Sequence, residues 1–60
     1  MTIQEMKNKM ARGTAAQNIL LLIQPFLPSL SASAGTELQA VLLTAIQDGT
    51  AAQRKFEREF

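Results

Sequence analysis

Six cations, Lys7, Lys9, Arg12, Arg54, Lys55 and Arg58, and five carboxylates, Glu5, Glu37, Asp48, Glu57 and Glu59, carry all the side-chain charge of this 60-residue chain. The cations are the side chains with chemistry to offer a partner, because Lys and Arg hold phosphate oxygens and would serve RNA or DNA as weak positioning contacts. Their neighbours weaken that use. Glu5 stands four residues before Lys9 and Arg54 three before Glu57. At those spacings opposite charges meet on a helix surface, so most of the set reads as a solvated, mutually compensated face. A net charge of +1 is far from the dense basic composition of a non-specific polyanion binder. No exposed aromatic is expected beside these cations for base stacking.

Catalysis finds nothing to run on. The chain has no His, Cys or Tyr, and no two carboxylates share an apolar face where one could serve as acid and the other as base. Ser and Thr are present without a base to activate them. The usual structural-metal ligands are missing with Cys and His, so no metal and no cofactor is expected. The expectation is a protein that is not an enzyme.

The elements that position these residues are announced by a repeated frame. Gly13-Thr14-Ala15-Ala16-Gln17 recurs unchanged as Gly49-Thr50-Ala51-Ala52-Gln53, and Gly35-Thr36-Glu37-Leu38-Gln39 repeats its Gly-Thr-x-x-Gln pattern. The frame lacks the Gly-rich run and following Lys of a phosphate-binding loop. It has the form of a helix stop, an N-cap and a capping-box partner. Thr2-x-x-Glu5 is a further capping box, and Met6, Met10, Gly13, Ala16, Leu20 and Ile23 follow at helical spacings, which predicts a helix over about 3–24. Gln24 precedes Pro25, and Pro28, Ser29, Ser31, Ser33 and Gly35 make a Pro/Ser-rich connector of about eleven residues, with Leu27 and Leu30 as anchors. Thr36 then caps a second helix over 36–60, whose apolar phase runs through Leu38, Leu42, Ala45, Gly49, Ala52, Phe56 and Phe60.

Gly13 and Gly49 either end short helices or sit inside long ones. Short helices of nine to eleven residues are marginal in water, whereas an internal Gly costs only about 1 kcal/mol, so continuity is preferred. An antiparallel hairpin in which paired positions sum to 62 sets Gly13 opposite Gly49, Met6 opposite Phe56, Met10 opposite Ala52, Gln17 opposite Ala45 and Leu20 opposite Leu42. Close backbone approach at a Gly–Gly crossing explains a helix-weakening residue at two matched positions. The fold class is therefore all-α: one helical hairpin domain over residues 1–60.

A lone domain of this size is marginal, burying about 60% of the surface its unfolded chain exposes. With no disulfide or metal, oligomerisation is the remaining common supplement. Ala15, Ile19, Leu22 and Phe26 form a second apolar stripe on the first helix, and Val41, Leu43 and Ile46 one on the second. A hairpin cannot bury helices that are apolar all round, so Ile19, Leu22, Phe26, Val41, Leu43 and Ile46 are the candidate interface of a homo-oligomeric bundle or larger helical assembly. The partner is expected to be another copy of the chain, or another protein docking on the same apolar helix face.

Two further readings are carried with this one. Met1-Thr2-x-Gln4-Glu5, Met10-Ala11-Arg12, Gln17 and Leu20-Leu21 resemble the first helix of the Rop family of plasmid copy-number proteins, with a one-residue gap. That resemblance implies an RNA-binding helical hairpin that dimerises into a four-helix bundle. Lys7, Lys9, Arg12, Arg54, Lys55 and Arg58 would then be the nucleic-acid contacts. The chain departs from the family at Gly13, where an aromatic is expected, and at the connector, which replaces a tight turn. Alternatively, Ile19 to Leu30 could enter a bilayer as a membrane-active hairpin with the charged ends in water. Lys7, Lys9 and Arg12 ahead of an apolar stretch ending in Ala32-Ser33-Ala34 are also reminiscent of a secretory signal, but Glu5 and the interrupting Gln17, Asn18, Gln24, Pro25 and Pro28 depart from one, and a cytoplasmic location is expected.

Overall fold

The computed structural model describes residues 2–60; Met1, the first residue of the Rop-like stretch, lies outside the described residues. Helix α1 spans Ile3–Ile23 and helix α2 spans Ala32–Glu59. A 3-10 turn over Gln24–Ser29 joins them. The two helices lie side by side in a rod with extents of 43 × 17 × 15 Å, and no strand occurs among the described residues.

Helix α1 begins where the sequence marks it. The Thr2 hydroxyl oxygen accepts from the Glu5 backbone N–H at 3.1 Å, which satisfies one of the donors that a helix start leaves orphaned. The second start differs from expectation. Ser31, not Thr36, is the N-cap of α2, its Oγ accepting from the Ala34 N–H at 3.2 Å. Gly35 and Thr36 lie inside the helix, and the Gly35 N–H donates to the Ser31 carbonyl at 2.9 Å. Ala32, Ser33 and Ala34 thus form the first turn of α2, because Ala is the strongest helix former and a Ser cap suffices to start it.

The eleven-residue connector accordingly shrinks. Gln24 keeps right-handed helical angles although Pro25 follows it, and its N–H donates to the Leu20 carbonyl. Pro25 enters at the first turn of the 3-10 segment, where its fixed φ suits a helix and no N–H is needed. Only Leu30 and Ser31 are extended, and the Leu30 N–H closes onto the Leu27 carbonyl at 3.1 Å. Leu27 is half-buried and Leu30 exposed, so the expected anchoring falls on Leu27.

None of the described residues has a positive φ, so no glycine is a left-handed helix cap and both long helices run unbroken through Gly13 and Gly49. The repeated Gly-Thr-x-x-Gln frame lies inside helices in all three of its copies. Within α2 it accommodates Thr50 by a hydrogen bond from Oγ1 to the Ile46 carbonyl at 3.0 Å. The buried positions are Met6, Gly13 and Ala16 on α1 and Leu42, Gly49 and Ala52 on α2. Met6 and Leu42, and Ala16 and Ala52, are each separated by the same sequence interval as Gly13 and Gly49. The core is thus two-fold symmetric about the glycine crossing, as expected where two antiparallel helices present the same face to each other. Gln17, paired with Ala45 in the sequence register, is exposed, and Ala16 takes the buried position beside it.

Candidate interaction surface

The helix crossing fixes where every other side chain points. A Cβ added to Gly13 would lie 3.0 Å from the Gly49 Cα and 3.2 Å from the Ala45 carbonyl oxygen; one added to Gly49 would lie 2.9 Å from the Gly13 Cα and 3.0 Å from the Lys9 carbonyl oxygen. The two backbones touch, with no side chain between them. Such proximity brings the helices into contact at the cost of core volume. Among the described residues the buried apolar side chains are only Met6, Ala16, Leu42 and Ala52.

What the crossing cannot cover is left in water. Leu22 is 72% exposed, Phe26 and Val41 67%, Leu21 60%, Leu43 47% and Ile19 45%. Of the six candidate interface residues, only Ile46 is half-buried. The surface area is 4479 Å², whereas a compact monomer of 6.6 kDa exposes about 3,900 Å². The exposed aliphatic residues concentrate in the half of the rod near the 3-10 turn, where the whole segment from Gly13 to Thr36 holds no Asp, Glu, Lys or Arg.

The six residues do not form one stripe. Successive helical residues turn by about 100°, so Val41 and Leu43 stand on opposite sides of the buried Leu42. Ile19 and Leu21 likewise flank the half-buried Leu20. Ile19 lies seven residues after Arg12 and so on the same side of α1 as Arg12. An open groove of about 290 Å³ joins Lys9 and Arg12 to Val41, Thr44, Ala45 and Asp48. Ile19 and Val41 therefore share one flank of the rod, Leu21 and Leu43 the other, and Leu22 points away from α2. Leu21, which the sequence reading did not single out, is more exposed than either Leu43 or Ile46. Its signal was its place two residues after Ile19, which turns it to the opposite side.

The charged half is mixed in sign. Lys9 and Lys55 are half-buried; Lys7, Arg12, Arg54 and Arg58 are exposed. Lys9 and Arg12 share their groove with Asp48, and Arg54 and Arg58 line a hollow on α2 with Glu57. Glu57 Oε1 accepts from Gln53 Nε2 at 3.1 Å. Phe56 and Phe60 pack against each other with ring centroids 5.3 Å apart, and Phe60, 65% exposed two residues after Arg58, is an aromatic beside the cations where none was expected. No group of three or more His, Cys, Asp or Glu residues able to hold a metal occurs among the described residues. None of the described helices is long and apolar enough to cross a membrane.

Searches against protein-family models, curated proteins and solved structures found no match to this chain.

Proposed function

We propose that this chain is a non-enzymatic helical assembly module that acts by homo-oligomerisation, the apolar half of each hairpin nearer the 3-10 turn being covered by another copy. The observation that carries the reading is the mismatch between core and surface: four of the described apolar residues are buried, while Ile19, Leu21, Leu22, Phe26, Val41 and Leu43 stand in water. Burial of apolar area is the main favourable term in association, and exposed apolar side chains in this number are the surface such association would cover.

Native mass spectrometry of the purified chain, together with light scattering across a hundredfold range of concentration, tests the reading. A dimer or larger species at micromolar concentration is expected. A helical monomer at every concentration would overturn it and direct attention to a different protein as the partner of the same surface.

A further inference from the structure

We infer that the crossing face of each helix is self-complementary, so that the helix seated on it in the hairpin can be replaced by the same helix of a second copy, α2 on α2 or α1 on α1. The pattern of burial carries this. Around Gly13, α1 turns inward Met6 seven residues before, Met10 three before, Ala16 three after and Leu20 seven after; around Gly49, α2 turns inward Leu42, Ile46, Ala52 and Phe56 at the same four spacings. Even the degree of burial matches: Met6, Ala16, Leu42 and Ala52 are buried, and Met10, Leu20, Ile46 and Phe56 half-buried. The backbones obey the same two-fold relation. A Cβ on Gly13 would meet the Ala45 carbonyl oxygen at 3.2 Å, and one on Gly49 would meet that of Lys9, four residues before the opposite glycine in both cases, at 3.0 Å.

An antiparallel crossing sets a residue before one glycine against the residue equally far after the other. In the register of the hairpin the large Met10 therefore meets the small Ala52 and the large Ile46 the small Ala16, while Met6 stands opposite Phe56 and Leu20 opposite Leu42. Two copies of one helix satisfy the same rule. Pairing α2 with α2 would set Ile46 against Ala52 and Leu42 against Phe56, each twice, about a Gly49–Gly49 contact; pairing α1 with α1 would set Met10 against Ala16 and Met6 against Leu20 about Gly13. Large meets small three residues from the centre in every pairing, and no side chain parts the backbones there, so overpacking does not select the hairpin over the like-on-like pairs. What selects it is the connector, which holds the two helices of one chain at a high effective concentration. Opening requires new backbone angles at Leu30 and Ser31, the two extended residues between the helices. Like-on-like pairing must then grow with protein concentration. The occupant is a second copy of this chain because the face demands a glycine at its centre with a large residue three before it and a small one three after, and both helices supply that set. Ile19, Leu22 and the other exposed residues proposed above as an interface lie outside this face, so the two associations stand or fall separately.

The chain has no Cys, so introduced thiols report alone. Ile46→Cys with Ala52→Cys in the full chain places two thiols six residues apart on α2, about 9 Å along the axis and too far to bond within the helix. In the closed hairpin they stand opposite Ala16 and Met10, whereas in an α2 pair each thiol meets the other kind on the second copy. Mild oxidation followed by denaturing gels should give a disulfide-linked dimer whose fraction rises over a hundredfold range of concentration, and each single variant should stay monomeric. Met10→Cys with Ala52→Cys should close within one chain and mark the hairpin itself. A double α2 variant that stays monomeric at every concentration overturns the inference, as does one that dimerises no more than its single variants. Where circular dichroism shows that the α2 variant has lost its helices, Met10→Cys with Ala16→Cys puts the same question to α1, with the same outcomes. A parent of dimeric native mass whose double variants form no disulfide-linked dimer overturns like-on-like pairing and leaves association through the apolar half standing.

Discussion

At Gly49 the consequence of a side chain depends on what it would meet. The Gly13 Cα at 2.9 Å and the Lys9 carbonyl oxygen at 3.0 Å are backbone atoms that cannot rotate away, so a methyl group forces the helices apart. Overpacking of that kind typically costs about 1–3 kcal/mol, and the helix propensity gained by Ala returns at most about 1 kcal/mol. Gly49→Ala should therefore lower stability by about 1–2 kcal/mol in chemical denaturation, and the bulkier Gly49→Asn by more. Gly35 supplies the internal control. It too lies in α2, but a Cβ there meets nothing within 4 Å, so Gly35→Ala should raise stability by about 0.5–1 kcal/mol. A Gly49→Ala protein as stable as the parent would refute the close crossing. The pairing of these glycines was legible in the sequence, since matched spacing in an antiparallel register sets them face to face. The sidedness of the exposed residues was less legible: Val41, Leu43 and Ile46 read as one stripe by apolar character, although a two-residue step turns Leu43 to the opposite side of Leu42 from Val41.

Helix α2 starts one turn earlier than its capping box suggests, and the reason lies in how helices are announced. A box signals itself through two residues, Thr36 and Gln39, whereas Ser31 caps through a single bond to the Ala34 N–H and leaves no second residue to read. Ser29, Ser31, Ser33 and Gly35 also look like a loop by composition, yet Ala32 and Ala34 between them favour helix. The first helix had no such competition, because Thr2-x-x-Glu5 precedes it without an alternative cap. At Pro25 the expected stop becomes a change of pitch: Gln24 stays helical and the chain tightens into the 3-10 turn through Ser29. The two candidate caps make opposite predictions. Ser31→Ala should cost about 1 kcal/mol by removing the only side-chain bond to the α2 N-terminus that the described residues provide. Thr36→Ala, inside the helix, should be neutral or slightly stabilising. Thermal melts followed by circular dichroism decide between them, and a larger loss at Thr36 would place the start where the capping box has it.

Over the whole molecule, positive charge and most of the exposed aliphatic surface lie toward opposite ends of a 43 Å rod, with all six cations in the half away from the 3-10 turn and Glu37 in the other. Those cations are interleaved with Glu5, Asp48, Glu57 and Glu59, and exposed charges of mixed sign contribute little. Replacing Lys7, Arg12 and Arg54 together with Gln should shift stability by less than about 1 kcal/mol and change the assembly state not at all. RNA binding by the parent that falls steeply with added salt, and less steeply in the variant, would instead make these residues phosphate contacts. The apolar half is where stability and association are coupled. If copies cover Ile19 and Leu22, folding and assembly are linked by mass action, and the melting temperature must rise with protein concentration. Glu at both positions sets two carboxylates in that contact, where each would be desolvated without a partner. Ile19→Glu with Leu22→Glu should therefore abolish the concentration dependence, reduce the native mass to that of one chain, and lower helicity to whatever a hairpin with four buried apolar residues can hold by itself. A parent whose melting temperature is constant over a hundredfold dilution, matched by a double variant that melts at the same temperature, would mean that one chain stabilises itself and that the exposed leucines serve some other partner.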